Sequence, residues 1–349
     1  MVYEPWLEKL GLSQPVTTED FVDMLKAFRD QDPNGNGQAD EIALIGYKDT
    51  VNTNFLRTLM NPFVYTQSNF FINNNGTIEF AATQEGWKEG LIWIKSLFDQ
   101  GLADPLTLTQ DQAQLTAIMS QETEVVGTFA RISPTNLGAS DIRRSEYICL
   151  DPLQGPSGLR QTVLEPRMPN IAMVITKNCK DPEAAFLMGV WNRYGQEGVN
   201  WEKPSADAIG AYESVGYPPV IKVISTWGVL QNDWWGQVGP FVVLSKWADG
   251  QAAENIEYNG AVAIGRSMKL GWDLKNPNPV FGLIFNEEEQ EIVNEYQTTI
   301  NNYVQESFAQ FITGAMDPAA DFDRYVAEFE KMGLSEYMEA VNSCYARMN

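Results

Sequence analysis

Histidine is absent from the chain. No side chain therefore has an ordinary pKa near neutrality, and no imidazole can act as a ligand. This excludes Ser-His-Asp and Cys-His nucleophile systems, H-E-x-x-H zinc hydrolases, histidine-bearing zinc deaminase sites and the two-histidine facial triad. Cysteine is scarce: Cys149, Cys179 and Cys344 show no C-x-x-C spacing, which argues against a metal knuckle or a redox pair. Basic residues are also few, with 24 Lys and Arg against 46 Asp and Glu, a formal charge of -22. A polyanionic phosphate backbone is a poor partner for such a chain, so no nucleic-acid role is expected. Neither G-x-x-x-x-G-K-[ST] nor G-x-G-x-x-G occurs, no run approaches the length of about 18 apolar residues that a membrane span needs, and residues Met1 to Trp6 lack the basic and apolar regions of a signal peptide.

What is present is enough for a substantial core. The chain is 44% hydrophobic with 10 Trp and 17 Phe, and its 349 residues set an expectation of about two domains. Thr17 and Asp20 form a capping-box start, and Phe21, Met24, Leu25 and Phe28 follow on one helical face, which predicts a helix over 19–30. Ile42 to Tyr47 reads as a short buried strand. Phe70 to Ile72 and Thr77 to Phe80 flank Asn73-Asn74-Asn75-Gly76, a hairpin signal. A helix is expected over 84–99, with Trp87, Leu91, Ile94 and Phe98 inward and Gly101 and Pro105 as its stop.

Short strands are expected at 125–129, 147–150 and 171–176, with a helix after Asp181-Pro182-Glu183. Residues 198–279, rich in Trp, Gly and Pro, read as long loops of the kind that serve a site. Near the end, Asn286 and Glu289 cap a long helix with a stripe of Ile292, Tyr296, Ile300, Tyr303, Val304, Phe308 and Phe311, ending at Gly314. Two further helices are expected near 319–332 and 335–347. The interspersed strands and helices indicate an α/β chain.

The sharpest chemical signal is the loop at 32–41. Asp32, Asn34 and Asn36 place side-chain oxygens at alternate positions, and Gly37 permits the tight turn, as in the first half of an EF-hand loop. The pattern continues with a backbone carbonyl at Gln38 and an oxygen at Asp40. Ala43 stands where the closing bidentate glutamate belongs, and Glu41 is the replacement on offer. This all-oxygen set suits calcium better than zinc or copper. The same Asp-Pro-Asn-Gly-Asn-Gly string is also what an ordinary turn prefers.

Beginning at this loop, the chain resembles the family 1 extracellular solute-binding proteins of carbohydrate ABC transporters. The likeness is carried by the Trp6 to Leu12 block, the Thr17 to Phe28 helix, the loop through Asp40-Glu41, Gly76-Thr77, the Trp87 to Leu102 helix and the Tyr194 to Trp201 block. It continues in Ile300 to Val304, Phe311 to Gly314, Tyr325 to Leu334 and Tyr345-Ala346-Arg347. The nearest branch holds the lipoprotein and alginate-binding members, in which a comparable loop holds calcium. Carried over by residue, that site is Asp32, Asn34, Asn36, Gln38, Asp40 and Glu41, with structural Ca2+ as cofactor.

The resemblance implies an α/β, periplasmic-binding-protein-like (type II) two-lobed fold that binds an oligosaccharide or related solute and delivers it to ABC permease subunits, without enzymatic activity and as a monomer. Family members carry a signal, a lipid-attached cysteine and roughly a further third of the protein before the Trp6 block. The expectation is therefore an extracellular lipoprotein whose first lobe is incomplete in this chain. Residues 1–168 and 283–349 form the second lobe with the calcium loop, and 169–282 form the returning segment of the first lobe with the cleft loops. Sugar faces stack on aromatic rings, so the candidate ligand contacts are Phe129, Arg131, Trp201, Trp227, Trp234 and Trp235. Two readings from other classes stand beside this one: a carbohydrate-active hydrolase using paired carboxylates, and a calcium-stabilised interaction protein that binds no small solute.

Overall fold

In the computed structural model, the residues described are 1–48, 55–65, 70–130, 136–137, 141–161, 174–187, 201–203, 206, 222–223, 274, 280 and 282–348. The chain divides into two compact units. Unit 1 comprises Met1–Ile132, Leu150–Pro166 and Ser267–Asn349; unit 2 comprises Ser133–Cys149 and Arg167–Arg266. The sequence reading keeps 133–149 with the first of these sets, whereas the structure assigns them to unit 2.

Unit 1 opens with β1 (Val2–Tyr3) and α1 (Glu4–Leu10), which ends at Gly11 with φ +65°. Helix α2 (Thr18–Asp30) starts on the predicted capping box. The Thr17 hydroxyl accepts from the Asp20 N–H at 3.0 Å, and the Asp20 carboxylate accepts from the Thr17 N–H at 2.9 Å. These bonds hold the Asp20 carboxyl below its usual range. Phe21, Met24, Leu25 and Phe28 are all buried, as the spacing predicts. Trp6 of α1 meets Phe28 edge to face at 5.3 Å, which ties the first two helices together.

The 42–47 segment forms isolated bridges rather than one regular strand. Ile42 and Ile45 pair in parallel with Val126 and Phe129, and Leu44 pairs with Ala103. Because consecutive residues face different partners, no continuous ladder forms, yet the segment is buried as expected. Val2 adds an antiparallel bridge to Thr128. Gly127 lies on this ladder, and a Cβ there would come within 2.4 Å of the Phe28 ring and 2.8 Å of Trp6, so the close approach requires glycine.

After α3 (Leu56–Met60) come β2 (Phe71–Asn74) and β3 (Thr77–Phe80), paired antiparallel from Phe71↔Phe80 to Asn74↔Thr77. Asn75 (φ 51°) and Gly76 (φ 94°) both take the left-handed backbone that a two-residue primed turn needs. Helix α4 (Glu85–Asp99) buries Trp87, Leu91, Ile94 and Leu97, with Phe98 only half-buried, and is followed by α5 (Gln112–Met119). Three helices complete the unit: α7 (Glu287–Thr313), α8 (Phe322–Lys331) and α9 (Leu334–Met348), numbered after α6 of unit 2. In α7 the buried position is Val293 rather than Ile292. Val293 is seven residues, or two turns, before Ile300 and in line with it, and Ile292 is rotated off that line. Helix α9 docks on the hairpin through Asn342. Its amide donates to the Ile78 carbonyl at 2.9 Å and its oxygen accepts from the Ile78 N–H at 2.7 Å, so the side chain serves the strand edge as a neighbouring strand would.

The start of α7 carries a pH-dependent contribution to stability. Glu289 accepts from the Asn286 N–H at 2.9 Å, from the Arg347 guanidinium at 2.6 Å and from the Ser343 hydroxyl at 3.0 Å. Arg347 first, and then the Asn286 N–H, lower its pKa below the ordinary glutamate value of 4.5. A depressed carboxyl favours folding above its unfolded pKa, and that contribution is lost as pH falls through the folded value. Thermal melts followed by circular dichroism from about pH 6 to pH 3 are expected to show a shallower acid decline for Glu289→Gln than for the parent protein. An identical decline in both would show that this pair carries no linkage.

The described part of unit 2 holds α6 (Arg143–Glu146), β4 (Tyr147–Ile148), a helical turn at 182–187 opened by Asp181, and β5 (Trp201–Glu202) antiparallel to β6 (Lys222–Val223). Residues 174–176, at the end of the strand expected at 171–176, have no regular structure. Most of the loop-rich 198–279 stretch lies outside the described residues. No disulfide joins the three cysteines; Cys149 and Cys179 are half-buried and Cys344 is buried. No described helix is long and apolar enough to cross a membrane.

Candidate functional site

The 32–41 loop is fixed at both ends by unit 1. It leaves α2 through Gln31, whose N–H donates to the Ala27 carbonyl at 3.1 Å. At its exit the Ile42 N–H donates to the Val125 carbonyl at 2.7 Å, and the Ile42 carbonyl accepts from the Gly127 N–H at 2.9 Å. The backbone then coils tightly: Asp32 adopts φ 45° and Gly37 φ 74°. A positive φ is uncommon for any residue but glycine, and Asp32 holds it because its carboxylate is bonded into the turn. Asp32 Oδ1 accepts from the N–H groups of Gly35 (2.9 Å) and Asn36 (3.1 Å), and Oδ2 accepts from Gly37 (3.1 Å). The alternation continues, with the Asn34 oxygen accepting from the Asn36 N–H at 2.9 Å and the Asn36 oxygen from the Gln38 N–H at 2.7 Å.

The side chains at the centre of the loop are compensated from within. The amide nitrogens of Asn34 and Asn36 donate to the Asp40 carboxylate at 3.0 Å and 2.9 Å. Among the described residues, no group of three or more Asp, Glu, Cys or His side chains is gathered so as to hold a metal ion. The expected oxygen shell is therefore not assembled as such here; amide donors occupy the role toward Asp40 that a cation would take.

Glu41 is compensated only in part. Its Oε1 is buried with no hydrogen-bond partner. Burial, followed by the nearby charges of Asp32 and Asp40, pushes its carboxyl up, against the lowering effect of backbone N–H groups at Glu41 and Asn34. An orphaned carboxylate oxygen in the field of two further carboxylates, on a loop whose other donors are amide and carbonyl oxygens, has the chemistry that a hard divalent cation satisfies. In donor chemistry, all oxygen, the set is of the type that suits calcium.

The sequence-predicted ligand contacts are distributed differently. Phe129 is buried, 1% exposed, and its backbone pairs with Ile45. Trp201 starts β5. Arg131, Trp227, Trp234 and Trp235 lie outside the described residues. Sequence reasoning passes over Lys9, whose ammonium reaches the Pro33 carbonyl at 2.7 Å; no motif records a contact between residues this far apart in the chain.

No family model matches the chain. It is 26% identical over 358 residues to the fructooligosaccharide ABC transporter substrate-binding protein FusA of Streptococcus pneumoniae serotype 4, a match covering 99% of this chain and 64% of FusA. The chain thus spans just under two thirds of that relative. It is 27% identical over 160 residues to lipoprotein LipO of Bacillus subtilis, covering 44% of this chain and 32% of LipO. In structure it matches an EF-hand mutant of the S. pneumoniae FusA in complex with fructo-nystose with a TM-score of 0.71 at 22% identity, covering 99% of this chain and 71% of the other. The alginate-binding protein AlgQ2, solved without calcium ion, matches with a TM-score of 0.63 at 16% identity, again over 99% of this chain and 71% of the other. These neighbours are two-lobed periplasmic solute-binding proteins, so the fold is of that kind. By sequence along nearly its whole length and by fold, the chain is related to the solute-binding proteins of carbohydrate ABC transporters.

Proposed function

We propose that this chain is the solute-binding component of an ABC transporter, capturing an oligosaccharide and passing it unaltered to the permease. The observation that supports this most strongly is the likeness to a fructooligosaccharide-binding transporter component across 99% of the chain. Unit 1 is read as the second lobe and unit 2 as the returning part of the first. In the family architecture, a solute that contacts both lobes shifts the population toward a closed form that the permease recognises. Phe129, Arg131, Trp201, Trp227, Trp234 and Trp235 are the ligand contacts in this reading, the rings supplying flat apolar faces for sugars and the guanidinium a hydrogen-bonding fork.

The 32–41 loop is read as a structural calcium clip held by Asp32, Asn34, Asn36, the Gln38 carbonyl, Asp40 and Glu41. When bound, the ion supplies positive charge among three carboxylates and closes the turn. The lipoprotein relative supports an extracellular, membrane-anchored setting, where calcium is abundant. Chemistry on the sugar has no part in this reading, because the relatives are binding components and not enzymes.

Titration calorimetry with a panel of fructooligosaccharides and other glycans in calcium-containing buffer tests the assignment. Saturable binding of at least one glycan is expected, with Trp234→Ala or Trp235→Ala weakening it about 3- to 10-fold, the scale of one lost ring contact. Each glycan is expected back intact by chromatography. Cleaved product would favour the hydrolase, and no binding at any calcium concentration would favour an interaction protein.

A further inference from the structure

We infer that Lys9 is a positioning residue for the cation loop: from the last turn of α1 it fixes the Pro33 peptide and so sets the direction in which Asp32 and Asn34 present their oxygens. The inference rests on the calcium reading of the loop. Its basis is the geometry of one short bond. Lys9 Nζ donates to the Pro33 carbonyl at 2.7 Å, across 24 residues of sequence. In a chain with 46 acidic residues, this ammonium is placed on a backbone carbonyl and not on a carboxylate, with no ion pair to it among the described residues.

The choice of carbonyl has a mechanical consequence. The proline ring fixes φ at Pro33, so ψ is the only soft torsion left within that residue, which links the two ligand-bearing neighbours. A hydrogen bond to the Pro33 carbonyl sets that torsion. Pro33 is itself buried, and Asp32 before it is already held at φ 45°. Lys9 is in turn aimed by α1. Trp6 lies three residues earlier on the same helical face and is packed on Phe28 at 5.3 Å, so the helix that carries the ammonium is bolted to the helix that feeds the loop. Gly35 lies against the same ammonium: its φ of +77° favours glycine, and a Cβ at that position would come 2.8 Å from Lys9 Nζ and displace it.

Electrostatics alone predicts the opposite effect on calcium. A cation beside an acidic loop repels a second cation, so deleting it would tighten binding, more so at low salt. A positioning role predicts weakening, because supporting residues behind metal ligands typically contribute 10- to 100-fold in affinity. The two accounts differ in sign.

Calcium affinity of the whole protein is measured by titration calorimetry for the parent, Lys9→Met and Lys9→Arg, with calcium-free melting temperatures recorded in parallel. Lys9→Met keeps the aliphatic stem and is expected to bind calcium about tenfold more weakly, at low and at high salt alike, with its calcium-free melting temperature close to the parent's. Lys9→Arg, which keeps a donor, is expected to recover most of the affinity. Equal or tighter calcium binding by Lys9→Met overturns the inference. So does a lowered calcium-free melting temperature with unchanged affinity, the mark of a merely structural contact. A parent protein that binds no calcium overturns the underlying reading of the loop instead, and the two failures are distinct.

Discussion

Calcium added to chelator-treated protein is expected to raise the melting temperature by about 5–10 °C. At a hundredfold excess over the dissociation constant, a ligand that binds only the folded state contributes about 2.7 kcal/mol. For a cooperative unit of about 150–250 residues, each kcal/mol moves the midpoint by about 2–4 °C. Differential scanning calorimetry with and without calcium reads this directly, and magnesium at the same concentration is expected to give a smaller shift, because it dehydrates reluctantly and demands a stricter octahedron. A melting temperature indifferent to calcium would leave the loop as an ordinary turn.

Glu41 makes the same experiment diagnostic of the site and not only of the ion. Its carboxyl is pushed up, foremost by burial, and its Oε1 lacks a partner. A group whose folded pKa is raised favours folding below its unfolded pKa, and that contribution is lost as pH rises through the folded value. In the calcium-free protein at neutral pH, ionised Glu41 therefore opposes folding. Glu41→Gln, which places a neutral amide near Asp32 and Asp40, is expected to melt higher than the parent in chelator and to gain far less from calcium. The two proteins then exchange order of stability between the two conditions. Calcium affinity of the parent is also expected to weaken on acidification, as protons compete for Glu41. An order that does not change would remove Glu41 from the ligand set.

What the sequence discloses and what it conceals follow the range of the interactions. The start of α2, the 71–80 hairpin and the start and end of α7 are legible because each depends on one residue or on residues no more than three apart: Thr17 with Asp20, Asn75 with Gly76, Asn286 with Glu289, and Gly314 with φ +79°. Small rotational offsets are not legible. Periodicity places Ile292 on the stripe of α7 where packing buries Val293, and it marks Phe98 where Leu97 is the more enclosed, since a helical face is read to within one residue and the neighbouring element decides which side chain is covered. Contacts across long stretches of chain leave no local pattern at all. Lys9 on Pro33, Asn342 on Ile78 and the approach of Gly127 to Phe28 belong to this class. In the loop itself, oxygen spacing exposes the donor set, but only the fold shows that Asn34 and Asn36 turn their nitrogens to Asp40 and that Glu41 Oε1 is left without a partner.

Replacing Phe329 is expected to cost unit 1 about 3–5 kcal/mol as Phe329→Ala, the range for deleting a fully buried aromatic ring. Phe329 of α8 has 0% exposure and touches three rings from three elements: Phe80 of β3 at 5.4 Å, Tyr303 of α7 at 4.9 Å and Tyr325 of its own helix at 4.9 Å. All three contacts are edge to face, with interplanar angles of 71° to 77°, so the ring's removal opens a cavity that flat neighbours cannot close by sliding together. The position also joins parts of the chain that sequence separates widely, the hairpin near residue 80 and the helices after 287. The loss is therefore expected in the global unfolding of unit 1 and not in local fraying of α8. Thermal and urea unfolding in saturating calcium checks this, with a midpoint lowered by about 6–20 °C and with Phe329→Leu, which refills part of the volume, falling between the two. A Phe329→Ala protein that melts within a degree or two of the parent would show that the hairpin is held by α9 alone, through Asn342 on Ile78 and the 2.6 Å bond from Asn73 to the Tyr345 hydroxyl, with the aromatic cluster contributing nothing to that union.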